Sequence, residues 1–212
     1  MTAIDPVSAA GLVAREIRTG QRDGATTRIA VARRAYPTDQ ADLWDALTDP
    51  GRIPRWFLPV TGELAEGGTY QVVGNAGGTV ESCDAPRSFA VTWEFGGMVS
   101  WLAVSLTGGT DGTTLELVHE APVDPDMWAL YGPGAVGLGW DMALLGLGIH
   151  VETGEAVDPE VAAGLNFMPE GQQLLRLAAD GWRDAAVADG DDPGAATKAA
   201  DTAYAAYTTP ES

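Results

Sequence analysis

The segment at residues 134–151 restricts the fold of this chain more than any other feature. Its apolar side chains form two stripes at helical spacing, so the helix that it predicts is apolar nearly all round. Such a helix must be covered on several sides. The segment also contains Asp141 and five glycines, and it is short for a bilayer span, which needs about 20 residues. We therefore expect a central core helix and no insertion into a membrane.

Tight turns between residues 69 and 120 indicate how that helix is covered. Four β-compatible runs are separated by turn signals rich in Gly, Asn, Asp and Pro. Connections of this length join neighbouring antiparallel strands, so the pattern predicts a meander. Apolar and polar residues alternate along the runs, which is typical of a sheet with one covered face. The residues predicted on the covered face include Val91, Trp93, Phe95, Leu115, Leu117 and His119.

The amino-terminal residues carry a helical pattern. Asp5 and Pro6 precede this pattern, which extends over residues 7–17, and they would serve as its N-cap and first helical residue. Residues 26–36 alternate between apolar and polar side chains and are predicted to form the first strand. The chain would therefore begin with a helical arm that stands outside the sheet.

Beyond Thr153 the chain is predicted to be helical again. Three stretches, at 158–165, 169–189 and 194–207, have helical patterns or caps. The apolar face of the second stretch must pack on the same domain or on another copy, so the sequence allows a homodimer through the C-terminal helices. The predicted divisions are an N-terminal helical arm at 1–25, a main domain at 26–153 and a helical C-terminal extension at 154–212.

The charge balance excludes several classes of partner. The chain has 30 acidic and 12 basic residues, with a formal net charge of −18, and a surface this poor in cations does not suit nucleic acid.

Cys83 is the only cysteine, which excludes an intramolecular disulfide and a thiolate zinc site. The first residues lack the basic start and apolar run of a secretion signal, so we expect a cytoplasmic protein.

Several motifs resemble one known superfamily. Residues 44–50 read WDALTDP and residues 55–57 read RWF, a combination similar to the signature of the START-like SRPBCC superfamily, in the branch named for the activator of a heat-shock-protein ATPase (AHSA-type). Further matches in the expected order are GGTY at 67–70, GTVE at 78–81, TWEF at 92–95 and TLELVH at 114–119. The resemblance covers residues 26–151. It implies an α+β helix-grip fold, in which a curved antiparallel sheet wraps a long helix. It also implies a cavity between sheet and helix that binds hydrophobic molecules in related proteins.

Two residues are candidates for catalysis. Asp141 lies in an apolar helix and needs a partner, because a buried carboxylate must be paired, hydrogen-bonded or hydrated. It could bind a polar group of a ligand or accept a proton with a raised pKa, or it could make a structural hydrogen bond to a tryptophan or to the backbone. His119 could orient a ligand or exchange a proton, or it could be a packed core histidine.

The other candidate site residues are mostly aromatic. An aromatic wall with a few polar groups is the usual composition of a ligand site, whereas the same residues can also form a plain core. The predicted ligand-binding residues are Trp93, Phe95, Trp101, Leu117, His119, Trp140, Asp141 and Leu144. Trp56 and Phe57 are expected to anchor the short helices against the sheet. The two histidines lack metal-ligand spacing and no dinucleotide fingerprint is present, so we expect no metal and no cofactor.

Three functions are compatible with this sequence. The first is the binding of a small hydrophobic molecule, which predicts an enclosed cavity of several hundred cubic ångströms. The second is a cyclase- or aromatase-like enzyme, which needs Asp141 and His119 in one pocket. The third is a chaperone cofactor or another interaction protein, which should have a filled core and an exposed apolar patch.

Overall fold

The computed structural model describes residues 6–210. The strands are β1 (Ala14–Arg22), β2 (Ala25–Tyr36), β3 (Val60–Gly62), β4 (Thr69–Val72), β5 (Gly77–Asp84), β6 (Ser88–Phe95), β7 (Met98–Gly109) and β8 (Gly112–Pro122). The helices are α1 (Pro6–Gly11), α2 (Gln40–Thr48), α3 (Pro125–Tyr131), α4 (Gly134–Thr153), α5 (Pro159–Gly164), α6 (Pro169–Ala188) and α7 (Pro193–Thr208). Short 3₁₀ turns lie at Ile53–Arg55 and Leu165–Phe167.

The strands form one antiparallel sheet in the order β1-β2-β8-β7-β6-β5-β4-β3. Six of the seven neighbouring pairs are consecutive in the chain, and the β2–β8 pair joins the first hairpin to the end of the meander. One face of the sheet is covered by α4 and by the segment from α2 to the first 3₁₀ turn. The predicted α+β helix-grip fold with a C-terminal helical extension is confirmed. The meander from β4 to β8 has five strands where four runs were predicted, and β3 was not predicted.

The predicted helix over residues 7–17 is wrong beyond Gly11. Ala14–Arg22 forms strand β1, and its nine residues pair with β2 from Ala14↔Arg33 to Arg22↔Ala25. Asp23 and Gly24 connect the two strands, both with positive φ, as a two-residue type I′ hairpin requires. The Asp-Gly pair was therefore the local signal for this hairpin, and strand pairing overrides the helical spacing of residues 14–17. The Asp5 N-cap lies outside the described residues.

The C-terminal helices cover the side of α4 that faces away from the sheet. Helix α6 packs against α4, α1 and β1, and α7 packs against α6, α3 and α4. Leu174, Ala178 and Trp182 of the predicted apolar face are buried within the same chain, whereas Leu177 is exposed. The all-round apolar character of α4 thus has a direct cause, because the helix lies between the sheet and a second helical layer.

Helix α4 is the one helix within residues 6–210 that is long and apolar enough to cross a bilayer by length and composition. In its most apolar window, 61% is buried inside the protein. This burial agrees with the predicted core helix. Close packing in that layer depends on glycine: a Cβ atom at Gly137 would lie 2.5 Å from the Trp182 indole.

We expect Gly137→Ala to destabilise the fold, because the added methyl group would force the buried Trp182 ring off α4. The cost of such overpacking is about 1–3 kcal/mol, less the gain of about 1 kcal/mol from the helix propensity of alanine. Gly139→Ala is the matched control, since its Cβ would meet only the Tyr207 hydroxyl, at 3.2 Å, at the end of a side chain. Urea denaturation measures both variants. Equal midpoints for the two would contradict the close contact.

Candidate functional site

A cavity of about 320 Å³ lies between the covered face of the sheet and the segment from α2 to Phe57. Helix α4 contributes only Trp140 to its wall, so the cavity lies mainly against α2 and not, as predicted, between the sheet and the long helix. The aromatic lining residues are Trp44, Trp56, Phe57, Tyr70, Phe89, Trp93 and Trp140. The aliphatic ones include Leu47, Ile53, Val60, Leu64, Val72, Val80, Val91, Leu102, Val104 and Leu117.

The alternation of the strands supplies one wall. Leu102 and Val104 are buried on β7, and Val91 is buried beside them on β6. Their neighbours in sequence point to the opposite face, because side chains alternate along a strand. The alternation predicted from the sequence therefore places Trp93 and Leu117 at the cavity, as expected.

The motif residues of the sequence supply the other wall. Helix α2 begins after Asp39, whose carboxylate accepts a 2.8 Å hydrogen bond from the backbone N–H of Asp42, and it directs Trp44 and Leu47 into the cavity. Trp56 has two roles. Its indole donates a hydrogen bond to the Ala46 carbonyl at 2.8 Å and so holds the 3₁₀ turn against α2, while its ring lines the cavity. The WDALTDP and RWF motifs were thus the available signal for these lining residues, although only an anchoring role was predicted for Trp56 and Phe57 and no site role for Trp44 or Leu47.

The cavity wall carries few polar groups. None of its lining residues is charged, and Thr48, Tyr70 and Cys83 supply hydroxyl or thiol groups. The Tyr70 hydroxyl donates to the Thr92 carbonyl at 2.7 Å, and burial raises the pKa of that phenol above its usual value. Cys83 and Ala85 are exposed, so the cavity opens between α2 and the β5–β6 hairpin.

His119 lies behind the cavity wall, where it holds Trp140. The Trp140 indole donates to His119 Nδ1 at 3.0 Å, so Nε2 carries the proton and donates to Ser100 Oγ at 2.8 Å. The Ser100 hydroxyl in turn donates to the Trp93 carbonyl at 2.9 Å. Burial lowers the pKa of His119 to about 4. His119 is therefore a neutral, fully bonded residue that positions Trp140, and its predicted place in the cavity wall is wrong.

Asp141 points away from the cavity. Arg15 of β1 binds its carboxylate through Nη2 and also through Nε, at 3.1 Å, and Trp182 of α6 donates to it at 2.7 Å. Burial raises the pKa of Asp141, while Arg15 and Trp182 both favour the ionised form. Of the roles considered for Asp141, the structure has the structural hydrogen bond to a tryptophan, Trp182. Asp141 and His119 therefore do not share a pocket, and the predicted cavity role of Asp141 is wrong.

Three other predicted site residues lie outside the cavity wall. Phe95 is 57% exposed, next to the turn that ends β6. Trp101 is on the outer face of the sheet, where the Arg22 guanidinium lies 4.1 Å from its ring centroid, because the register of β7 places Leu102 inward. Leu144 is buried in the core, and its carbonyl accepts hydrogen bonds from Arg34 and Tyr36. Trp93, Leu117 and Trp140 are the predicted ligand-binding residues that line the cavity.

Residues 37–152 match the family model described as activator of Hsp90 ATPase homolog 1-like protein, AHSA1. The chain belongs to the AHSA1 family. This match includes every residue that lines the cavity, from Trp44 to Trp140. The AHSA1 assignment agrees with the superfamily resemblance of the sequence motifs.

Solved structures extend the similarity beyond the AHSA1 region. The chain is similar to CalU16 from Micromonospora echinospora in solution, with 29% identity and a TM-score of 0.69 over 84% of this chain and 97% of that one. The crystal structure of CalU16 matches with 28% identity and a TM-score of 0.64, over 84% of this chain and 99% of that one. DynU16, described as a putative protein in the dynemicin biosynthetic locus, has the same fold at 22% identity and a TM-score of 0.54, over 60% of this chain and 48% of that one. No curated protein matches the chain.

Removal of the Asp141 charge should be strongly destabilising. Asp141→Asn would leave Arg15 with a side chain only 7% exposed and without its counter-charge, at a cost of about 3–5 kcal/mol. The control is Asp45→Asn, which removes one partner of Arg52 at a carboxylate that is 56% exposed and should cost at most about 1 kcal/mol. Chemical denaturation compares the two variants. A similar small loss for both would contradict the central role of the Arg15–Asp141 pair.

The lowered pKa of His119 predicts a pH-dependent stability. The unfolded chain binds a proton below pH 6.5 and the folded protein only below about 4, so the contribution of His119 is complete above 6.5 and falls as the pH drops between these values. Across this window the free energy of unfolding of the wild type should fall by about 3 kcal/mol more than that of His119→Gln, with no further difference at lower pH. Urea denaturation at a series of pH values from 7.5 to 3.5 measures the free energy of unfolding of both proteins. Parallel profiles for the two proteins would contradict the buried neutral histidine.

Proposed function

We propose that this protein binds a small hydrophobic molecule in the cavity between the sheet and the α2 segment. The observation that carries the proposal is an uncharged, largely apolar cavity of about 320 Å³ with seven aromatic lining residues. Its volume lies within the range of small-molecule sites, which are roughly 300–1,000 Å³. One wall contains residues of the WDALTDP and RWF motifs, and the whole wall lies within the AHSA1 match.

Binding is favoured over catalysis by the positions of the two candidate catalytic residues. His119 is bonded to Trp140 and Ser100, and Asp141 to Arg15 and Trp182, so neither side chain has a reacting group directed at the cavity. An acid–base pair needs both groups within reach of one substrate. The cyclase-like alternative therefore has less support than a binding role.

A binding role is also favoured over a role as a chaperone cofactor. The interaction hypothesis predicted a filled core, whereas the protein has a cavity of about 320 Å³ beneath α2. DynU16, which has the same fold, is described as a protein of a biosynthetic locus, and a role beside small-molecule biosynthesis accords with binding. The similarity to DynU16 supports the fold, and the cavity itself carries the functional argument.

The test combines native mass spectrometry with a dye titration. Freshly purified protein should carry a copurified apolar molecule or, if empty, should bind the neutral dye N-phenyl-1-naphthylamine with enhanced fluorescence. Val104→Phe, which fills the cavity from β7, should weaken dye binding at least tenfold, since the dye and the added ring compete for one space.

Val99→Phe is the matched control, because this valine of the same strand is 43% exposed and lies outside the cavity wall. It should leave the dye affinity unchanged. Absence of both a copurified molecule and dye binding would overturn the proposal, as would equal dye affinities for the Val104 and Val99 variants.

A further inference from the structure

We propose that the cavity selects electrically neutral aromatic molecules with a hydrogen-bond acceptor, and that the free indole N–H groups of Trp44 and Trp93 bind this acceptor. This inference rests on the proposed function, because it names the class of molecule for the same cavity. Three features of the wall carry it: the absence of charge, the proportion of aromatic rings and the two unused donors.

The wall excludes charged ligands. None of its 20 lining residues is charged, so an ion in the cavity would lose its hydration without gaining a counter-charge. The net charge of −18 adds long-range repulsion for anions. The cationic side chain that follows the motif on this segment, Arg52, is held outside the wall by Asp42 and Asp45. A neutral ligand avoids both costs.

The wall favours flat rings. Seven of the lining residues are aromatic, and two of them, Trp93 and Trp140, meet with ring centroids 5.1 Å apart and planes tilted by 59°. Aromatic side chains attract other rings in offset or edge-on arrangements. The Trp140 ring is fixed by its bond to His119, so this part of the wall is ordered before a ligand arrives.

Two of the four indoles in the wall have an unused donor. Trp56 donates to Ala46 and Trp140 to His119. Within residues 6–210 the indole nitrogens of Trp44 and Trp93 have no hydrogen-bond acceptor, and neither nitrogen is fully buried by protein atoms. The two residues belong to opposite walls, α2 and β6. A carbonyl or ether oxygen on the ligand would satisfy one of these donors.

The first test compares a neutral and an anionic dye built on the same ring skeleton. N-phenyl-1-naphthylamine is neutral, and 8-anilinonaphthalene-1-sulfonate has the same ring skeleton with a sulfonate. Fluorescence titration should give at least tenfold tighter binding of the neutral dye. Equal or tighter binding of the sulfonate overturns the neutral-ligand inference and leaves the proposed function intact, whereas failure of both dyes, in a protein with no copurified molecule, overturns the proposed function itself.

The second test addresses the donors. Fluorene and 9-fluorenone share one skeleton, and only the ketone has an acceptor. In displacement of the neutral dye, Trp44→Phe or Trp93→Phe should shift the preference away from fluorenone by about fivefold, the effect of one neutral hydrogen bond, with little change for fluorene. Trp101→Phe is the control, since Trp101 lies on the outer face of the sheet.

A measurement on the wild type covers the case in which a variant does not fold. With ¹⁵N-labelled tryptophan, fluorenone should shift the indole N–H resonance of Trp44 or Trp93 downfield, and fluorene should not. An unchanged fluorenone preference in both folded variants, or identical indole shifts with the two ligands, overturns the role of these donors.

Discussion

The buried contact of Arg15, Asp141 and Trp182 is the interaction on which the rest of this structure depends. Asp141 is the one charged residue in the apolar stretch of α4, and Arg15 and Trp182 come from β1 and α6. A buried carboxylate is stable only when it is paired and hydrogen-bonded, so its presence requires both neighbours. The contact thereby joins the edge of the sheet, the central helix and the C-terminal layer.

The cavity lies on the opposite side of α4 from this contact, and none of its lining residues belongs to α6 or α7. Helices α6 and α7 cover the outer side of α4, so the long helix is enclosed on both sides. On the sheet side it contributes one residue, Trp140, to the cavity wall. The rest of the wall comes from the strands of the sheet on one side and from α2 and the 3₁₀ turn at Ile53–Arg55 on the other. The C-terminal extension therefore supports the cavity indirectly, through α4, and does not close its opening near Cys83 and Ala85.

Local patterns predicted much of the fold and part of the site. The alternation of the strands placed Trp93 and Leu117 at the cavity, and the apolar helix placed Trp140 there. The same reasoning misplaced Trp101, because spacing alone does not tell which of two adjacent side chains points inward. It also missed Trp44 and Leu47, since a family motif on a short helix does not itself indicate a cavity.

The sequence by itself determined the α+β helix-grip class, the AHSA1 membership and the central position of α4, because periodicity, turn residues and motifs are local properties. Tertiary structure alone decided the partner of Asp141, the strand at residues 14–22 and the neutral role of His119. The strand at residues 14–22 depends on its pairing with β2, and the other two depend on contacts between residues far apart in the chain, Arg15 with Asp141 and Trp140 with His119. Such contacts follow from strand register and helix packing, which no local pattern specifies.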